Sequence, residues 1–158
     1  MQEVIVIMGV SGSGKTTVGK LLADALGARF VDADDYHPIE NKQKMQSGIA
    51  LDDLDRSPWL KRLNTLCLEP REGHVVLACS ALKASYRAIL EENNPIKWVF
   101  LSGSFDQIRE RLESRSGHYM PPSLLSSQFN DLETPEEALI VAIDQTPEQQ
   151  VKYILSQL

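Results

Sequence analysis

Basic excess, cysteine and long apolar runs are all in short supply in this chain, and each shortage closes off a class of function. Lys and Arg number 16 against 22 Asp and Glu, for a net charge of −6. No broad basic face is therefore expected for a nucleic-acid partner. The two cysteines, Cys67 and Cys79, are far apart and lack metal-ligand spacing. Cys67 is expected on an apolar helical face and Cys79 at a strand end, both as buried reduced thiols, which suits the cytoplasm. His37, His74 and His118 are too scattered for a structural zinc site. No apolar run approaches the ~20 residues of a bilayer span, and Met1 leads into a strand pattern rather than a basic, cleavable leader. Repeats, low-complexity tracts and linkers are also missing, so the 158 residues read as one domain, 1–158.

What is present is concentrated near the start. Residues 9–16 read Gly9-Val10-Ser11-Gly12-Ser13-Gly14-Lys15-Thr16, a complete G-x-x-x-x-G-K-[ST] phosphate loop. Glycines allow the backbone to turn its N–H groups inward as a nest for phosphate. Lys15 can reach the β/γ oxygens, and the Thr16 hydroxyl is placed to ligate Mg²⁺. The apolar run Val4–Met8 precedes the loop, with the length of a buried strand. After it, Val18, Leu21, Leu22, Ala25 and Leu26 recur at helical spacing up to a stop at Gly27. Strand, loop and helix in that order let the helix dipole add to the anion site. The predicted nucleotide contacts are therefore residues 9–16 together with Thr17.

Strand signals at 4–8, 29–32, 74–79, 96–101 and 139–143 alternate with amphipathic stretches. Five short strands with helical crossovers predict an α/β fold, a parallel sheet covered on both faces. Ser104 and Gln107 have capping-box spacing. Pro58 and Pro147 suit first helical turns, after Ser57 and Thr146 as caps.

The second strand ends in Val31-Asp32-Ala33-Asp34-Asp35-Tyr36-His37-Pro38, at the carboxyl edge where ligands of open α/β sheets gather. In an extended chain Asp32 and Asp34 point the same way. One carboxylate can then hold Mg²⁺ through water while the other takes a proton from an attacking hydroxyl, with Asp34 the candidate base. Asp52 and Asp53 read as helix-dipole partners. Arg56 suits a carboxylate-bearing or polyol substrate, although a surface pair with Asp52 or Asp53 is nearly as good a reading. In Cys79-Ser80-Ala81-Leu82-Lys83, Ser80 and Ala81 let backbone approach a substrate and Lys83 offers a cation. By composition alone, Lys83 and Arg87 are as readily solvated as functional.

Arg109 has Glu113 four residues on and reads as a helical ion pair. Arg111 and Arg115 place like charges on one face, a repulsion that bound polyphosphate relieves. They lead into Ser116-Gly117-His118-Tyr119-Met120-Pro121-Pro122, a segment suited to a lid that keeps water from the γ-phosphate. Gln145-Thr146-Pro147 is placed to cradle the base, and Asp144 reads as a strand-end group or a cap.

At these residues the chain resembles the gluconate kinases of the phosphate-loop kinases, relatives of shikimate and adenylate kinases. The resemblance spans essentially the whole chain. Its specific blocks are Asp32–Pro38, Asn41 through Lys44-Met45 to Gly48, Leu51–Leu60, Cys79–Lys83, Gly117–Pro122 and Leu124–Phe129 before Leu132-Glu133. It implies a three-layer α/β/α fold with strand order 2-3-1-4-5, a substrate segment at about 35–60 and a lid at about 112–130. It also implies ATP- and Mg²⁺-dependent phosphorylation of D-gluconate at the 6-hydroxyl, feeding sugar-acid catabolism and the pentose phosphate pathway, by a cytoplasmic homodimer. Carried over by position, Lys15, Asp34, Arg111 and Arg115 are catalytic and Thr16 and Asp32 serve the metal. Asp34, His37, Arg56, Ser80, Lys83 and His118 face the substrate. Shikimate or a nucleoside monophosphate remains an alternative acceptor. A GTP switch lacks its Asn-Lys-x-Asp signature, because Asn41-Lys42 is followed by Gln43-Lys44.

Overall fold

The structure, a computed structural model, describes residues 3–69, 72–114 and 122–158. Five parallel strands, β1 (Val4–Met8), β2 (Arg29–Asp32), β3 (Val75–Ala78), β4 (Ile96–Ser102) and β5 (Leu139–Ala142), form one sheet in the order β2-β3-β1-β4-β5. This is the expected order. β1 lies at its centre and is buried throughout, as expected of a strand covered on both faces.

The period-2 alternation of β1 sorts its side chains between two cores. Val4, Val6 and Met8 pack with Trp59, Leu60 and Leu63 of α3 (Asp53–Leu68) and Tyr86 and Leu90 of α4 (Ala84–Glu91). Ile5 and Ile7 face the other way. They meet Val18 and Leu22 of α1 (Lys15–Leu26) and Val151 and Ile154 of α7 (Pro147–Gln157). Helices therefore cover both faces of the sheet.

Local chemistry sets most boundaries. Gly27 ends α1 in the left-handed region at φ 63°, where glycine carries no Cβ penalty. Thr146 and Gln149 form a reciprocal capping box at α7, with Pro147 in its first turn. Ser104 and Gln107 do the same before α5 (Phe105–Ser114). One boundary departs from expectation. Ser57 is not a cap and Pro58 is not in a first turn, because α3 starts earlier behind an Asp52–Asp55 capping box. Asp52 accepts the Asp55 N–H and Asp55 accepts the Asp52 N–H, so two donors are satisfied reciprocally where Ser57 alone would satisfy one. Pro58 thus lies inside the helix. Short α2 (Ile39–Gln46) and α6 (Pro122–Asp131) complete the set, and Phe129 of α6 meets Phe105 of α5 edge-on at 5.5 Å.

Candidate active site

The phosphate loop leaves the carboxyl end of β1 and is tied to its neighbour β3 by a Gly9 N–H to Ser80 carbonyl bond of 3.3 Å. Two glycines are sterically required. A Cβ on Gly9 would lie 2.8 Å from Ser13 Oγ and 2.9 Å from the Leu101 carbonyl, and one on Gly12, at φ +83°, 2.9 Å from Leu112 Cγ. Gly14 precedes α1 without a side-chain cap. The first-turn N–H groups of Lys15, Thr16 and Thr17 are thus left for an anion. Lys15 Nζ donates to the Val10 carbonyl at 3.0 Å, arching over the loop. The buried Ser13 hydroxyl has no hydrogen-bond partner among the described residues. Cramped glycines, an uncapped helix start and an arched lysine fit a nucleotide polyphosphate.

Asp32 and Asp34 do not share a direction. Extended geometry stops at Asp32, and a 3₁₀ turn follows at Ala33–Tyr36. Asp32 Oδ1 caps that turn by accepting the Asp34 N–H at 3.0 Å, and its Oδ2 lies 3.4 Å from the Thr16 hydroxyl. Burial raises the Asp32 carboxyl above its ordinary range. Thr16 and Asp32 thus offer two neighbouring oxygens, a fit for Mg²⁺ that keeps water and phosphate as its other ligands. Asp34 instead exposes its carboxylate, 81% accessible, 3.9 Å from His37 Nε2.

Below the loop is a cavity of about 340 Å³, bordered by Ser11, Lys15, Asp34, His37, Arg56 and Ser80 and also by Leu51, Trp59, Leu124, Ser127 and Gln128. That size is at the small-ligand end of the usual range. His37 is buried and stacks on Trp59, ring centroids 3.9 Å apart. Asn41 Nδ2 donates to the Asp55 carbonyl and faces His37 Nδ1 at 3.2 Å. Nδ1 is therefore the acceptor, and the ring proton sits on Nε2, toward Asp34. Burial, aided by Arg56 and Lys42, lowers the imidazole to about 4, so it is neutral at pH 7.

Arg56 does not pair with Asp52 or Asp53. Its Nη1 donates to the Tyr86 hydroxyl at 2.9 Å and lies 3.4 Å from Asp131 Oδ2. Lys83 lies off the main cavity, in an adjoining groove with Arg56 and Asp131, and pairs with Asp53 at 2.9 Å. The Tyr86 hydroxyl, and after it that contact, hold the Asp53 carboxyl below its usual value. Arg87 is neither solvated nor in the cavity. Its buried guanidinium donates to the carbonyls of Ala81, Leu82 and Glu133, bracing the stretch where Ala81 is left-handed at φ 44°.

Arg111 reaches back to the loop. It donates to the Ser13 carbonyl at 3.3 Å and to the Ile143 carbonyl. With Asp144, Gln145 and Thr146 it borders a second, open groove on the far side of the loop. Arg109 pairs with Glu113 as expected, and with Asp106. Arg115 and His118 lie outside the described residues. Sequence reasoning missed Trp59, Tyr86 and Gln128. Their types read as core or surface, and only long-range packing brings Trp59 and Gln128 to the cavity and Tyr86 to Arg56 beside it.

Three comparisons bear on this geometry. The shikimate kinase family model matches residues 11–158. A probable gluconokinase of Xenopus tropicalis is 48% identical, covering 89% of this chain and 84% of that protein. The thermosensitive gluconokinase of Escherichia coli K12 is 46% identical, covering 90% and 79%. The crystal structure of a gluconokinase from Sinorhizobium meliloti 1021 superposes with a TM-score of 0.90 at 43% identity, covering 98% of this chain and 90% of that one. A phosphate loop facing a small cavity of mixed polar and apolar lining, on a scaffold shared at this identity along nearly the full length, places the chain in the gluconokinase family, within the larger group that the shikimate kinase model describes.

Proposed function

We propose that this chain transfers the γ-phosphoryl group of ATP to the 6-hydroxyl of D-gluconate, giving 6-phospho-D-gluconate and ADP. The observation that carries the reading is a single cavity bordered by Ser11 and Lys15 of the loop and by Asp34, His37, Arg56 and Ser80. Mg²⁺ supplies charge neutralisation of the phosphates when bound. Thr16 and Asp32 hold it, and Thr17 and the loop N–H groups hold phosphate oxygens. The exposed Asp34 carboxylate orients the terminal hydroxyl and accepts its proton, while His37 donates a neutral Nε2–H. Arg56 reads the substrate carboxylate, and Ser80 reads its hydroxyls. Lys83, already paired with Asp53, adds positive potential from the adjoining groove. Lys15, Arg111 and Arg115 stabilise the charge spread over the transferring group. The lid role of the segment 112–130, with His118, rests on family resemblance. The homodimer and the cytoplasmic setting rest on family resemblance. Among the described residues no helix is long and apolar enough to cross a membrane.

A coupled ADP-release assay with Mg-ATP tests the reading against gluconate, shikimate and AMP, each beside an acceptor-free control. Stimulation by gluconate alone is expected. Stimulation by another acceptor removes the substrate assignment, and acceptor-independent hydrolysis removes the kinase assignment.

Asp34→Asn is expected to cut turnover by roughly 10²–10⁴-fold, the usual worth of a positioned general base, while nucleotide affinity stays near wild type. Wild-type turnover in that variant removes Asp34 as base.

A further inference from the structure

Gln128 of α6 bonds both the backbone N–H and the side-chain hydroxyl of one phosphate-loop residue, Ser11. Its Oε1 accepts the Ser11 N–H at 2.7 Å, and its Nε2 donates to Ser11 Oγ at 3.0 Å. Loop N–H groups are the donors with which such a loop grips phosphate. The Ser11 N–H is thus held by a side chain before any phosphate can use it. The same helix borders the acceptor cavity through Leu124 and Ser127. One turn beyond Gln128, Asp131 lies 3.4 Å from Arg56. A single short helix therefore touches the nucleotide loop at one point and the acceptor-reading arginine at another.

We propose that Gln128 is a positioning residue that couples acceptor binding to nucleotide binding. The inference rests on the reading of Arg56 as the group that meets the acceptor carboxylate. An incoming carboxylate competes with Asp131 for the guanidinium, so the α6 end of that ion pair loses its partner. Loosening α6 releases the Gln128 amide from Ser11, whose N–H and hydroxyl become available to phosphate. The coupling is positive, and by linkage it runs equally in both directions.

Calorimetric titration of a non-hydrolysable imido analogue of ATP with Mg²⁺, with and without saturating gluconate, tests this in the wild type, Gln128→Ala and Gln128→Met. The methionine variant keeps length and volume while removing both polar atoms, so it serves if the alanine variant folds poorly. Gluconate is expected to tighten nucleotide binding by about fivefold or more in the wild type, the low end of measured allosteric couplings. In the variants the factor is expected to fall below about twofold, although each ligand still binds alone. Full coupling in Gln128→Met, or none in the wild type, overturns the proposal. Gluconate that fails to bind the wild type at all overturns the acceptor assignment, and this coupling with it.

Discussion

His37 shows how burial chooses the chemistry of a side chain. As free histidine it titrates at 6.5, but in this position it is lowered to about 4, first by burial and then by Arg56 and Lys42. Between these values the unfolded chain binds the extra proton and the folded chain does not. Stability is therefore full above pH 6.5 and falls as pH drops toward 4. Urea midpoints measured from pH 7 to pH 4 should fall in the wild type and change less in His37→Gln. Equal pH slopes would show that the ring is not held neutral. The candidate residue was legible in sequence, but its protonation state was not. The burial that sets it, with the stack on Trp59, and the nearby charges of Arg56 and Lys42 come from packing a linear reading does not contain.

At the scale of elements, local rules worked wherever one side chain could satisfy the backbone nearby. Thr146, Gln149 and Pro147 start α7 as their spacing implied. Thr146→Ala is expected to cost about 1 kcal/mol, the usual loss of a cap, and to lower the melting temperature by roughly 2–4 °C for a chain of this size. An unchanged melting curve would mean that packing of Val151 and Ile154 alone sets that boundary. The start of α3 was misplaced because two signals competed. Ser57-Pro58 is a sound helix start in isolation, but Asp52 and Asp55 cap each other one turn upstream and leave the proline inside. The acidic turn misled in a similar way. Capping by Asp32 folds the next residues into a 3₁₀ turn, which separates two carboxylates that an extended strand would align.

For the whole molecule, the central fact is a sheet with a separate core on each face. Leu22 is fully buried on one side and Leu63 on the other. Leu22→Ala and Leu63→Ala should each cost about 2–5 kcal/mol through lost contacts and residual cavity. Because the sheet stands between them, their effects should add to within about 0.5 kcal/mol in the double variant. Urea denaturation of the four proteins checks this, and a larger departure would mean that strain crosses the sheet.

Sequence by itself determined the phosphate loop, all five strands, their order through family resemblance, and most of the charged and polar residues that border the cavity. These are matters of local spacing, hydrophobic period and glycine sterics, which neighbouring residues carry. Beyond the helical Arg109–Glu113 pair, tertiary structure decided which polar groups meet. Lys83 turned to Asp53, Arg56 to Tyr86 and Asp131, Arg87 to three buried carbonyls, and Gln128 to Ser11. The physical reason is that a donor drawn out of water, as Arg87 is, must find an acceptor wherever packing has left one, while the more exposed Lys83 meets the carboxylate the fold sets beside it. Those partners lie between 5 and 117 positions away along the chain.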